Sequence, residues 1–177
     1  MRRRVFFDRR FVRVERRRSY NWALIYFGSI LMTLFIQQRV VSVGIVTDRS
    51  MIPTLYDGNT FLINKYIYAL SRPRRGDIVV LYPRPFATEQ YVKRVVGLSG
   101  ETLEIRSGRV VVDGRPLEEP YAKGPTYPGW GPKVIPEGFY FVLGDNRPNS
   151  EDSRAFGLVS IRNIKGRIKP GELFSLR

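Results

Sequence analysis

The sequence predicts a mainly β protein: a compact, barrel-like β-sheet domain behind one N-terminal transmembrane helix. Two observations support this prediction. One long apolar segment lies near the N-terminus, and the chain after it consists of short runs of β-branched and aromatic residues bounded by Gly, Pro, Asp and Asn. No helical periodicity is sustained beyond the apolar segment. At 177 residues, the chain is long enough for one domain with a core in addition to an anchor.

The first segment, residues 1–19, is strongly basic. It contains nine arginines against Asp8 and Glu15, a net charge of +7, which is half of the +14 of the whole chain. A basic arm can bind nucleic acid. Here it leads directly into an apolar segment, which favours the acidic surface of a lipid bilayer as its partner. We therefore expect a cytoplasmic, membrane-facing segment and no nucleic-acid binding.

Residues 20–38 are predicted to form a transmembrane signal-anchor. This uncharged stretch covers roughly 28 Å as a helix, close to the thickness of a bilayer core. Its aromatic residues Tyr20, Trp22 and Tyr26 cluster near the N-terminal end, as in an aromatic belt. A cleaved signal peptide is a weaker interpretation, because residues 36–41 offer no small-x-small cleavage site. The positive-inside rule then places residues 40–177 outside the cytoplasm, on a single-pass protein of the plasma (inner) membrane.

The segment after the anchor is predicted to be a β-rich domain, residues 40–177. Alternation at Val41, Val43 and Ile45 indicates a first strand. Further strands are predicted at residues 61–68, 78–82, 91–96, 103–106, 109–112 and 139–143. The dipeptides Ser107-Gly108 and Asp113-Gly114 are typical of the tight turns of a hairpin or meander. The Pro- and Gly-rich residues 120–136 are predicted to form a loop with little secondary structure of its own.

The composition narrows the chemistry that is available. The chain has no histidine and no cysteine. It therefore cannot form a Ser-His-Asp triad, a Cys-His pair or a His-ligated metal site from its own side chains. Hydrolytic chemistry would have to come from Ser, Thr, Lys, Tyr or carboxylates, and we expect no cofactor and no metal.

Three stretches combine reactive side chains with turn residues: residues 48–55, 91–101 and 144–157. In the first, Ser50 is a poor nucleophile unless a nearby base removes its proton. Without histidine, that base is a carboxylate, a tyrosine or a lysine whose pKa is lowered by burial. Lys65 and Lys93 both lie in apolar strand-like runs, and periodicity alone does not decide which way Lys93 faces. A guanidinium stays protonated, so the neighbouring arginine is excluded as a base.

These stretches resemble the conserved boxes of type I signal peptidases, the bacterial leader peptidase family of Ser-Lys dyad serine proteases. Residues 50–55 (SMIPTL) match the nucleophile box, and residues 93–98 (KRVVGL) match the box whose first residue is the lysine base. Residues 144–157 match the G-D-N-R-x-x-S-x-D-S-R box, and residues 76–80 (GDIVV) are similar to a fourth, weaker box. The similarity extends through roughly residues 20–160.

The resemblance implies specific roles. Ser50 would be the nucleophile and its backbone N–H an oxyanion donor, Lys93 the general base, and Ser150 the residue that hydrogen-bonds the lysine and orients it. The resemblance also implies structural residues near the site, with an ion pair between Asp152 and Arg154; they are Met51, Pro53, Asp145, Asn146, Arg147, Asp152, Ser153 and Arg154. The implied activity is removal of N-terminal signal peptides from exported preproteins after a small-x-small motif.

One position departs from the family pattern. Many members have a small hydroxyl residue or glycine two residues before the nucleophile, where this chain has Asp48. An ionised carboxylate cannot donate a hydrogen bond to a developing oxyanion and would repel it. We therefore expect Asp48 to point away from the oxyanion hole, with another group as donor, or turnover to be slow.

Two other functions are compatible with parts of the sequence. A Ser-Lys self-cleaving protease similar to SOS-response repressors would use the same chemistry. It would need a soluble DNA-binding domain, and the sequence before Ser50 leaves no room for one. A catalytically degenerate, membrane-tethered β-rich adaptor is the other alternative. The intact set of Ser50, Lys93 and Ser150 argues against it.

Overall fold

The computed structural model describes residues 22–35 and 41–169. Residues 22–35 are helical (α1) and belong to one compact unit, and a second unit begins at Val41. The predicted cytoplasmic segment, residues 1–19, lies outside the described residues, as do both ends of the predicted anchor, residues 20–38. No helix within the described ranges is both long enough and apolar enough to cross a membrane.

The second unit is built from antiparallel strands, which confirms the mainly β prediction. The strands are β1 (Val41–Ile45), β2 (Thr60–Asn64), β3 (Ile78–Leu81), β4 (Tyr91–Gly97), β5 (Thr102–Arg106), β6 (Arg109–Val112), β7 (Arg115–Pro116), β8 (Trp130–Val134), β9 (Phe139–Leu143), β10 (Val159–Ser160) and β11 (Ile164–Ile168). The helices are α2 (Ile67–Leu70) and α3 (Ser153–Phe156), with 3-10 turns at Arg147–Asn149 and Ile161–Asn163. One sheet has the order β1-β2-β11-β3-β4-β9-β10, and the other has the order β7-β6-β5-β8.

The predicted meander is confirmed and has a clear local cause. Ser107 and Gly108 have φ values of 51° and 75°, and Asp113 and Gly114 have values of 50° and 77°. Positive φ at both central residues is the requirement of a two-residue hairpin turn whose twist matches the strands. The first turn joins β5 to β6, and the second joins β6 to β7.

The core lies on both faces of the larger sheet, because β3 is buried on both sides. Ile78 and Val80 pack with residues from the start of the domain, including Met51 and Leu55. The alternate residue Val79 packs into a separate cluster on the other face. A continuous apolar run such as that of β3 is typical of a strand that is covered on both faces.

Two predictions about the elements were wrong in part, and one strand was missed. The strand predicted at residues 61–68 ends at Asn64, because the Asn64 side chain accepts the N–H groups of Tyr66 and Ile67, both at 3.1 Å, and α2 begins there. The predicted loop at residues 120–136 contains β8, which pairs with β5. The strand β11, which joins β2 to β3, was not predicted.

Candidate active site

Ser50 and Lys93 meet in the interior of the domain although 43 residues separate them. Ser50 lies in the turn that follows β1, and Lys93 lies near the middle of β4, opposite Val79 of β3. The Lys93 ammonium nitrogen Nζ lies 2.7 Å from the Ser50 hydroxyl oxygen Oγ. Ser50 is 3% exposed and Lys93 is 2% exposed. A nucleophile and a base within hydrogen-bond distance are the geometric requirement of a covalent hydrolase.

The environment of Lys93 favours the neutral amine. Burial lowers the pKa of Lys93, because a charged ammonium is poorly solvated in the interior. The carboxylate of Asp48 opposes this effect, followed by those of Asp152 and Glu151, but the net shift is downward. Lys93 is therefore displaced towards the protonation state that can accept a proton from Ser50.

The neighbouring residue Arg94 has a different task. Successive side chains of a strand point to opposite faces, so Arg94 leaves β4 on the side away from Lys93. Its Nε and Nη2 donate to the two carboxylate oxygens of Asp145 at 2.8 and 2.6 Å, and the Thr54 hydroxyl donates to the same carboxylate at 2.5 Å. The paired guanidinium and carboxylate thus connect β4 to the loop at Asp145 and to the chain just after Ser50.

Asn146 holds the nucleophile through the backbone. Its N–H donates to the carbonyl oxygen of Ser50 at 2.8 Å, and its side-chain amide donates to the carbonyl oxygen of Arg49 at 3.0 Å. Met51, the residue after Ser50, is buried in the core, whereas Pro53 is exposed. The position of Ser50 is therefore fixed by a core side chain after it and by two hydrogen bonds to its peptide groups.

The remaining residues of the 144–157 stretch brace the loop itself. Buried Arg147 pairs with Glu119 at 2.7 Å and donates to the carbonyl of Gly144 at 3.1 Å. The ion pair expected between Asp152 and Arg154 is present at 2.7 Å, and Asp152 also accepts the N–H of Gly144. The hydroxyl oxygen of Ser153 accepts the N–H of Val142 in β9 at 2.9 Å.

Ser150 differs from the expectation. It lines the same cavity as Ser50 and Lys93, but its buried hydroxyl has no hydrogen-bond partner within residues 22–35 and 41–169. The expected hydrogen bond to Lys93 is thus not formed. The Ser150 hydroxyl packs against the backbone of Gly144 instead: a Cβ atom added to Gly144 would lie 2.2 Å from it.

Asp48 lies beside Lys93. One carboxylate oxygen accepts the N–H of Arg49 at 2.5 Å, and the other is 3.9 Å from the Lys93 nitrogen. The side chain is 66% exposed. The carboxylate therefore faces both solvent and the amine.

A cavity of about 900 Å³ opens next to the Ser50–Lys93 pair. One side is formed by the end of β1 and the turn after it, and the other by the start of β4 and residues 148–151. The volume suits several residues of an extended peptide. Sequence reasoning missed Glu89 and Gln90 on its rim and Glu119 behind Arg147, because no local pattern marks partners that only the tertiary fold brings together.

Comparison with known proteins identifies a family for this chain. The family described as "Signal peptidase, peptidase S26" matches residues 19–170. A signal peptidase I of Leptolyngbya laminosa is 40% identical over 146 residues, which cover 78% of this chain and 72% of that protein. Signal peptidase I T of Bacillus subtilis (strain 168) is 34% identical over 160 residues, covering 84% and 82%. A crystal structure of a signal peptidase I from Enterococcus faecalis V583 is 33% identical, with a TM-score of 0.48, and covers 56% of this chain and 98% of that chain.

The relatives place the chain among the hydrolases of the serine protease class. It belongs to the signal peptidase family, peptidase S26. Membership supports the removal of signal peptides as its activity.

Proposed function

We propose that this protein is a membrane-bound serine endopeptidase that removes signal peptides from exported preproteins, with Ser50 as nucleophile and Lys93 as general base. The 2.7 Å hydrogen bond between two buried side chains supports the proposal most strongly. No histidine is present to take the place of the lysine.

The proposed reaction has two halves. Neutral Lys93 accepts the Ser50 proton while Oγ attacks the scissile carbonyl carbon, and the resulting ammonium then protonates the leaving amine. In the second half, Lys93 removes a proton from water as the water oxygen attacks the acyl ester, and the ammonium then returns that proton to the departing Ser50 Oγ, which restores the hydroxyl. The N–H of Ser50 is the proposed oxyanion donor. For Ser150 to orient the lysine, its side chain would have to rotate away from Gly144.

The proposed substrate is an extended segment that ends in a small-x-small motif. The strand β1 is an edge strand of the larger sheet, and Val43 and Ile45 on it are exposed. An extended peptide can add to such an edge, where alternate side chains enter shallow pockets. The cavity beside Ile45 would receive the residues next to the scissile bond.

The proposed topology has a cytoplasmic segment at residues 1–19, an anchor at residues 20–38 and an extracytoplasmic domain at residues 40–177 of the plasma (inner) membrane. The helical, uncharged residues 22–35 support the anchor, and apolar side chains such as Phe27 and Leu31 are exposed along them. Protease added to intact cells should digest the domain from outside. Digestion only after the cytoplasmic side is opened would contradict this orientation.

Cleavage of a preprotein by the full chain in detergent tests the chemistry. Ser50→Ala and Lys93→Ala should each lower turnover by at least about 10³-fold, as removal of a nucleophile or its base does in serine proteases. Ser71→Ala and Lys133→Ala are matched controls outside the cavity and should retain activity. Full activity of Lys93→Ala would refute the dyad, and a folded wild type that cleaves no preprotein would favour the adaptor alternative.

A further inference from the structure

The carboxylate of Asp48 is placed to interact with Lys93. Its Oδ2 atom lies 3.9 Å from the Lys93 nitrogen, within the range of an ion pair but beyond a direct hydrogen bond. The N–H of Arg49 fixes the other oxygen at 2.5 Å, so the carboxylate does not swing freely. The amine is buried and the carboxylate is largely exposed, so only the carboxylate is solvated by water.

The other charged groups that act most strongly on Lys93 are engaged in contacts of their own. Asp152 is paired with Arg154, whose own charge acts on Lys93 in the opposite sense. Glu151 accepts a hydrogen bond from the hydroxyl of Tyr91, and the Tyr91 ring lies 5.3 Å from the Lys93 nitrogen. Asp48 is thus the carboxylate in ion-pair contact with Lys93 among the described residues.

Resting on the proposed role of Lys93 as general base, we propose that Asp48 is a positioning residue that favours the ammonium form of Lys93 against the effect of burial and so sets the pH at which the enzyme becomes active. The direction of the effect of Asp48 on the protonation of Lys93 follows from its charge. A nearby negative charge stabilises the charged form of the lysine. Its removal makes the neutral base available at a lower pH.

The pH profile separates this role from an effect on the oxyanion. The acid limb of kcat/KM reports ionisation of the base in the free enzyme. A carboxylate that acts on Lys93 moves the midpoint of that limb. A carboxylate that only repels the oxyanion lowers the plateau rate and leaves the midpoint in place.

The substitution Asp48→Asn removes the charge and keeps the shape. The midpoint of the acid limb should fall by about half a unit to one unit, the range for an ion pair with one exposed partner. Below the midpoint, the rate should therefore rise roughly 3- to 10-fold. Asp57→Asn is the matched control, since Asp57 is exposed and does not line the cavity, and its limb should coincide with that of the wild type.

A second measurement needs no variant at Asp48. The interaction between Lys93 and an exposed carboxylate is weakened by salt, because the screening length falls from about 10 Å at 0.1 M to about 3 Å at 1 M. The wild-type limb should move to lower pH as salt is added, and the limb of Asp48→Asn should move less.

A limb that is the same in Asp48→Asn and the wild type, or that moves equally in Asp57→Asn, would overturn the inference. So would a wild-type limb that does not respond to salt. Activity in Lys93→Ala would refute the base assignment itself. An enzyme that depends on Lys93 but whose limb ignores Asp48 would refute only this inference.

Discussion

The substitution Arg94→Met should strongly destabilise the domain. It removes the partner of Asp145, a carboxylate that is fully buried and held at 2.6 Å. Loss of one member of a buried ion pair costs about 3–5 kcal/mol, because the other charge stays buried without compensation. This is a large part of the roughly 5–15 kcal/mol that stabilises a typical domain. With a urea slope of about 2 kcal/mol per molar, the unfolding midpoint should fall by about 1.5–2.5 M.

The chain provides a matched control for this effect. Arg72 and Glu137 form an ion pair at the same N–O distance, 2.6 Å, but both side chains are mostly exposed. Exposed pairs contribute about 0–1 kcal/mol, so Arg72→Met should leave the urea midpoint within about 0.5 M of the wild type. Urea unfolding of the full chain in detergent, followed by near-ultraviolet circular dichroism, measures both variants.

A double variant tests the cause. In Arg94→Met with Asp145→Asn, no charge is left buried, and the amide can still accept from the Thr54 hydroxyl. We expect it to be more stable than Arg94→Met alone. The reasoning would be refuted if Arg94→Met and Arg72→Met unfolded at the same urea concentration, or if the second substitution brought no recovery.

Two further predictions concern the site. Gly144→Ala places a Cβ atom 2.6 Å from the carbonyl oxygen of Ser50 and should lower kcat by roughly 10²-fold, because displacement of a reacting group by about 1 Å has such an effect. Gly166→Ala, with a contact of 2.4 Å to the backbone of Asn64, should lose stability but keep kcat in the folded fraction. Equal losses of kcat in the two folded variants would show that the loss in Gly144→Ala is not specific to its contact with Ser50. Lys93→Met should abolish cleavage yet raise stability at pH 7 by about 1 kcal/mol, because it removes a buried amine. Because the pKa of Lys93 is lowered in the folded state, the unfolded chain binds more protons between that pKa and about 10.4, and wild-type stability rises with pH over this range. The difference in unfolding midpoint between Lys93→Met and the wild type should therefore shrink as pH rises. A constant difference from pH 7 to 10.5 would contradict this.

The sequence predicts those elements whose signals are local. The turns at Ser107-Gly108 and Asp113-Gly114 depend on two adjacent residues, and the sequence is sufficient to place them. The strand β8 was missed because residues 130–134 contain Gly and Pro and owe their extended form to pairing with β5, almost thirty residues earlier. Long-range pairing of this kind has no local signature.

The site shows the same division. Periodicity could not decide the facing of Lys93, since both faces of β4 are apolar, and the resemblance supplied the choice of this lysine over Lys65. Only the tertiary structure shows that Lys93 turns to Ser50 and that the hydroxyl of Ser150 packs against Gly144. A side-chain rotamer depends on neighbours from several elements, so neither a motif nor a spacing determines it.

Because Lys93 and Arg94 are adjacent on one strand, the pairing register of β4 determines which of the two side chains faces Ser50. A shift of β4 by a single residue would exchange the two faces of the strand, because side chains alternate. A shift in one direction would present the Arg94 guanidinium, which stays protonated, to Ser50, and a shift in the other direction would place the Lys93 amine against Asp145. Either slipped molecule would keep an apolar strand, yet would have no base beside Ser50. Loss or gain of one residue within β4 is therefore a route to a folded but inert protein.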